Sequence, residues 1–179
     1  ARLGLAHVTV SLTSLDPEIK RTLEPRAASP QARIRVIEQL SGAGIPVGVL
    51  VAPVIPVITD HELESLVETA VGAGARSVGY VMLRLPYDVK DLFREWLAEH
   101  YPQRAQHVMS IIQSIRGGRD NDPRFGTRMR GEGPFADLLR NRFKLALQRS
   151  GIATPARQPL VTTLFRPPRK NSPQLDLGL

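Results

Sequence analysis

Three short apolar runs, centred near residues 9, 50 and 81, alternate with segments of helical periodicity, and this alternation limits the possible folds more than any other feature of the chain. Strand centres about 30 to 40 residues apart are the spacing of consecutive βα units. Such units build a parallel sheet with right-handed crossovers. The first strand is expected over residues 6–12. Ser29 then caps a helix with Pro30 at its first position, Ile34, Ile37 and Leu40 on its inner face, and Gly42 and Gly44 at its end. The second strand, VGVLVAPV, is almost wholly apolar, as suits a strand buried on both faces of a parallel sheet. Thr59 or Asp60 caps the next helix, which turns Leu63, Leu66, Val67 and Ala70 inward. A third strand over 77–85 stops at Pro86, and an amphipathic helix follows over 88–101. Three units make neither a closed barrel nor a full doubly wound sheet, and they leave two apolar edges. Further strands are therefore expected before residue 1, and the start at Ala1 fits a processed or cut product.

The chain changes character after Pro102. A helix is expected over 103–115, with Ala105, Val108, Ile111, Ile112 and Ile115 on one side. The loop RGGRDNDPRFGTRMRGEGP follows, with five arginines and five glycines. Pro134 opens a last helix to about residue 149, whose inner face reads Leu138, Leu139, Phe143 and Leu147. The chain thus divides into a βα part (1–101), a helical arginine-rich extension (102–150) and a proline-rich flexible tail (151–179) with one strand candidate at 160–165.

Charge follows the same division. Residues 1–101 carry 10 Lys/Arg against 12 Asp/Glu, whereas residues 102–170 carry 14 against 4. So local an excess points to an anionic partner, nucleic acid above all. Arg116, Arg119, Arg124, Arg128 and Arg130 are the densest cluster. With Phe125 and Met129 among them, they suit phosphate contact beside a stacked base. A structural loop wrapping one end of the fold explains the same residues equally well. The absence of cysteine excludes disulfides and thiolate metal sites within these residues. No metal site is expected, because His61-Glu62 lacks a second histidine at the spacing a zinc helix needs. There is no G-x-S-x-G hydrolase motif, and both GAG triplets follow helices, where they cap rather than cradle phosphate. The longest apolar run, 47–58, contains Gly48, Pro53 and Pro56 and is too short to span a bilayer. A cytoplasmic location is the default expectation.

In order along the chain, VTVSLTSLD, LEPRAASP, AGIPVGVLVAPVIPVITDHE, GAGARSVGYVMLRLP, VKDLFREWL and the arginine–glycine loop resemble the carboxyl-terminal half of radical S-adenosylmethionine proteins of the spore photoproduct lyase-like (DNA repair photolyase-like) group. The resemblance covers about residues 5–150. It implies an α/β fold: three consecutive βα units, the fourth to sixth of a partial parallel barrel, followed by the mainly helical basic extension and a disordered tail. It also implies a 4Fe–4S cluster held by a CxxxCxxC loop that this chain lacks. S-adenosylmethionine on that cluster yields a 5′-deoxyadenosyl radical that abstracts hydrogen from substrate. Without the cluster ligands this chain alone is expected to be inactive and to bind neither cofactor tightly, and the missing amino-terminal half of the barrel becomes an expected partner.

By the same resemblance, Ser11, Thr13 and Ser14 contact the cofactor's ribose or amino-acid portion, although a hydroxyl-rich turn closed by Asp16-Pro17 is the plainer explanation. Arg26 would bind the cofactor carboxylate, with Glu24 fixing that arginine or accepting from the cofactor ammonium; a surface ion pair is the alternative. Val51, Ala52 and Pro53 would pack on adenine, or serve only as core. Arg84 interrupts an apolar strand and is expected at the pocket mouth, towards a carboxylate or an anionic substrate. The tail ends QLDLGL, which resembles the glutamine–leucine peptide that docks on the DNA-polymerase sliding clamp, through Gln174, Leu175, Leu177 and Leu179. The leading function is therefore a DNA-lesion lyase of radical type. The alternative is a non-catalytic nucleic-acid-binding or clamp-docking module, and a binder of phosphorylated metabolites ranks last because no phosphate loop is present.

Overall fold

The computed structural model describes residues 1–152, 160–164 and 166. β1 (Val8–Ser11), β2 (Val47–Val54) and β3 (Ser77–Met82) form one open parallel sheet in the order 1-2-3, interleaved with helices as the alternation predicts. Between β1 and β2 lie α1 (Pro17–Leu23) and α2 (Pro30–Gly42). A 3₁₀ turn, Asp60–Glu62, and α3 (Leu63–Gly72) lead to β3. After it come α4 (Val89–His100), α5 (Ala105–Ser114) and α6 (Pro134–Arg149).

The two faces of the sheet differ. Val10 stands opposite Val49, Val49 opposite Val78, and Val51 opposite Tyr80. Because side chains alternate along a strand, these residues line one face together. That face is sealed by Ile37 of α2, Leu66 and Val67 of α3, and Leu139, Phe143 and Leu147 of α6. The other face carries Thr9, Ser11, Leu50, Ser77, Gly79 and Val81, all half-buried or exposed, and among the described residues no helix covers it. The expectation that β2 is buried on both faces therefore holds for one face only.

The helix that covers β3 is not the one that follows it in sequence. α4 turns Phe93 and Leu97 into a second core with Val108, Met109 and Ile112 of α5, Ile19 of α1, and Ile55 and Ile58 after β2. α6 returns from the basic extension to seal β3 instead. Its Phe143 ring meets Tyr80 edge-on with centroids 4.8 Å apart. Arg142 locks it to α3 with a fork: Nε and Nη2 donate to the two Glu64 oxygens at 2.8 and 2.7 Å, and Nη2 also donates to the Asp60 carbonyl at 2.9 Å. This fork holds the Glu64 carboxyl below its ordinary value.

Three local expectations change. Asp16-Pro17 opens a short helix rather than a plain turn, because the Asp16 side chain accepts from Glu18 N at 2.8 Å and Pro17 occupies the first turn. Leu138 points outward at 56% exposure, since α6 buries the face formed by Ala136, Leu139, Phe143, Ala146 and Leu147. Residues 160–164 form no strand; Val161 N donates to the Gly4 carbonyl at 2.9 Å, and Phe165 lies outside the described residues. No helix among the described residues is long and apolar enough to cross a membrane.

Two stability measurements follow from this packing. Glu64→Gln should cost about 1–2 kcal/mol near neutral pH by removing the charged half of the fork. The Glu64 carboxyl is depressed in the folded state, so its contribution is complete above the unfolded value of 4.5 and vanishes as pH falls through the folded one. The gap in denaturation midpoint between wild type and variant should accordingly close in acid. Tyr80→Phe should leave stability unchanged or raise it by about 1 kcal/mol, because the Tyr80 hydroxyl is buried without a hydrogen-bond partner in the described structure.

Candidate functional site

Parallel sheets collect their ligands beyond the carboxyl ends of the strands. At the end of β1 the chain turns through Leu12, Thr13 and Ser14, and both hydroxyl residues are buried there. Thr13 Oγ1 lies 3.0 Å from the Ala52 carbonyl and 3.1 Å from Glu24 Oε2. The Ser14 hydroxyl donates to Glu62 and accepts from Asp16 N at 2.9 Å. Leu15 N donates to the other Glu62 oxygen at 3.3 Å. Ser14 and Glu62 thus tie β1 to the turn after β2, and Thr13 spans between β2 and the Glu24 loop.

Glu24 is held by an arginine that sequence reasoning passed over. Arg33, on α2, donates to Glu24 Oε2 at 3.0 Å, to the Ser11 carbonyl at 3.1 Å and to the Ala28 carbonyl at 3.2 Å. Arg26 is exposed and forms no ion pair with Glu24 among the described residues. Oε2 of Glu24 is thus taken twice, while its Oε1 has no hydrogen-bond partner in the described structure. Leu12, Thr13, Pro30, Glu24 and Arg33 line a narrow recess at this point. The signal for Arg33 was one charge on the first turn of a helix otherwise read for its apolar face.

Other predicted residues separate by face. Val51 is buried against the helices, because alternation puts it beside Val49 and Tyr80, so its side chain is core and not a wall for adenine. Ala52 and Pro53 are half-buried at the end of β2, and Ser11 is exposed with no side-chain partner among the described residues. The turn that follows is braced: Val57, at φ 69°, donates its N–H to Asp60 Oδ1 at 2.6 Å, and Ile55 N donates to Thr59 Oγ1 at 2.8 Å. A β-branched residue in the left-handed region is strained, and these bonds hold it there. Arg84 sits just beyond β3, half-buried, with no ion pair in the described structure and a buried Nε that finds no acceptor.

The five clustered arginines play different parts. Arg116 is 2% exposed; its guanidinium donates to the carbonyls of Leu83, Thr127 and Arg128, at 2.9, 3.2 and 2.7 Å. It is an internal clamp with no surface to offer a phosphate. Burial, and then the nearby Arg84 charge, push its pKa down, while Asp122 opposes the fall. Arg124 pairs with Asp122 and Glu132. The guanidinium of Arg130 lies 3.9 Å from the Tyr80 ring centroid and that of Arg128 4.2 Å from the Phe125 centroid. Arg119 is exposed and unpaired among the described residues. Gln174, Leu175, Leu177 and Leu179 lie outside the described residues. No group of three or more His, Cys, Asp or Glu suited to a metal occurs among the described residues.

Residues 1–70 match the Radical SAM superfamily model. The matched stretch runs from before β1 into α3 and includes every bond that stitches the β1 end to Glu24 and Glu62. Intact radical SAM proteins use S-adenosylmethionine and a 4Fe–4S cluster. The uncharacterized protein Rv2578c of Mycobacterium tuberculosis H37Rv is 38% identical over 108 residues, covering 59% of this chain and 32% of that protein. The uncharacterized protein Mb2609c of Mycobacterium bovis matches to the same extent. The uncharacterized protein ORF301 of Acidianus two-tailed virus is 40% identical over 47 residues, covering 26% of this chain and 16% of that protein. The chain spans about a third of the length of the mycobacterial relatives. No solved structure matches it.

One substitution checks how the arginine-rich loop is held. Asp122 is buried and accepts from Arg124 N, Nε and Nη2 and from Thr127 Oγ1, which together hold its carboxyl far below the usual range. Asp122→Ala should speed trypsin cleavage after Arg124 and Arg128 about tenfold, the effect of losing ~1.4 kcal/mol of local order.

Proposed function

We propose that this chain is the carboxyl-terminal part of a radical S-adenosylmethionine enzyme and supplies one wall of its cofactor pocket. The observation that carries this reading is a coincidence. The family match covers the segment that holds the exposed Ser11 hydroxyl at the end of β1, the half-buried Ala52 and Pro53 at the end of β2, and Glu24, whose Oε1 has no hydrogen-bond partner among the described residues.

The residues present fit S-adenosylmethionine and not the cluster. An ammonium group needs an acceptor, and Glu24 Oε1 is free to accept. A ribose hydroxyl needs a partner that donates and accepts, and the exposed Ser11 hydroxyl does both. Adenine needs an apolar ledge, which Ala52 and Pro53 offer. A 4Fe–4S cluster needs thiolates, and this chain has no cysteine, so none of its residues is assigned to the cluster. When bound together, the two groups supply a radical that abstracts hydrogen from substrate. This chain's own residues orient the nucleoside: Arg33 and Thr13 keep Glu24 in place, and Ser14 with Glu62 keeps the β1 end against the β2 turn.

The substrate class we assign is damaged DNA, as in the spore photoproduct lyase-like group. That assignment is supported by the order of the six resembling segments and by the positive excess over residues 102–170.

The test uses the full-length protein prepared without oxygen. It should carry iron and sulfide and consume S-adenosylmethionine when given a reductant. Ser11→Val, at an exposed site, should raise the Kd for S-adenosylmethionine about tenfold, equal to ~1.4 kcal/mol, without lowering the melting temperature. Glu24→Gln should raise it further. A full-length protein without iron, or unchanged binding in both variants, would sink the reading.

A further inference from the structure

Phe125, at 89%, is the most exposed large hydrophobic side chain among the described residues apart from Tyr87, yet it stands on a heavily braced loop. Buried Asp122 and buried Arg116 bond the loop from within. Met129 O accepts from Met82 N at 2.9 Å, tying the loop to the outer edge of β3. Glu132 N donates to the Ile115 carbonyl at 3.0 Å beside Gly131, whose φ of 76° and close approach to Ile115 leave no room for a side chain. Leaving a phenyl ring in water forgoes roughly 1.5–3 kcal/mol of burial. A mobile loop would fold such a ring away. A braced loop holds it out, with little ordering entropy left to lose on binding.

The surroundings of the ring select its partner. The Arg128 guanidinium lies 4.2 Å from the ring centroid, and Phe125 remains 89% exposed even so. Arg119 is exposed and without an ion pair among the described residues, within a region that carries 14 basic residues against 4 acidic ones. An aromatic ring backed by a guanidinium, with a second cation six residues earlier in the same loop, suits a flat, electron-rich group attached to an anion. We propose that Phe125 is a stacking platform for an unpaired nucleobase, with Arg119 and Arg128 contacting the adjoining phosphates.

This rests on the nucleic-acid half of the reading above and not on its cofactor half. Binding is measured without reductant or S-adenosylmethionine, so the two can fail separately. The probe is a fluorescein-labelled mixed-sequence single strand, titrated by anisotropy with the full-length protein at several salt concentrations. Phe125→Ala should weaken binding about tenfold. Phe125→Trp should retain affinity, and Phe125→Leu, apolar without a π face, should resemble Ala. Arg119→Gln should lower the log–log salt slope by about one. Both substituted positions are exposed, so thermal melts of the four variants should match wild type. No binding of the oligonucleotide, wild-type affinity in Phe125→Ala, or full retention in Phe125→Leu would each overturn the proposal; the last would mean an apolar contact instead of stacking.

Discussion

A parallel strand cannot be covered by a hairpin neighbour, so each strand of this sheet depends on a helix brought back across one face. That requirement organises the molecule. α2 and α3 cover β1 and β2 as crossovers must, but the helix after β3 is diverted into a separate core. α6 takes its place, and the Arg142 fork on Glu64 and Asp60 fixes where it lies. The arginine-rich loop is the strap that lets α6 return. It closes over the end of β3 through Arg116 and Met129, so its basic composition serves packing as well as any partner.

The opposite face receives no such cover from the described residues, and apart from Leu50 and Val81 its side chains are small. A Cβ at Gly48 would fall 2.8 Å from Ser77 Oγ, so the floor of that face is kept flat by glycine between hydroxyl-bearing neighbours. The carboxyl end of the same sheet is stitched by two carboxylates used differently. Glu62 spends both oxygens on Ser14 and Leu15, whereas Glu24 spends one and keeps the other. Two residues of the same charge are thus used differently, one wholly in bracing and the other with an oxygen left open.

Much of the fold was legible because it rests on periodicity. β2, α2, α3, α5 and α6 announce themselves through apolar spacing, Pro at helix starts and Gly at helix ends. α1 was missed because seven residues give too short a pattern, and Asp16-Pro17 reads equally well as a turn. The role of α6 was hidden because chain order names α4 as the partner of β3, and only tertiary packing reassigns it. At the site, Ser11, Ala52 and Pro53 stand near the strand ends as their positions suggest. Val51 does not join them, since alternation decides its face. The five loop arginines look alike in sequence, yet one is buried, one is paired by acids, two lie on aromatic rings and one is open. What separates them is the position of Leu83, Asp122, Tyr80 and Phe125 in space, which no local pattern encodes.

The late arrival of α6 has a consequence during synthesis. The three described strands are all present in sequence by Met82, but Tyr80 lacks the Phe143 ring that packs on it until α6 emerges from the ribosome, more than sixty residues later. Over that interval a nascent chain carries a formed or forming sheet with one flank of its apolar face bare, the kind of surface that chaperones hold and that neighbouring chains stick to. A pause in translation that falls after β3 has left the ribosome and before α6 has would lengthen that exposure.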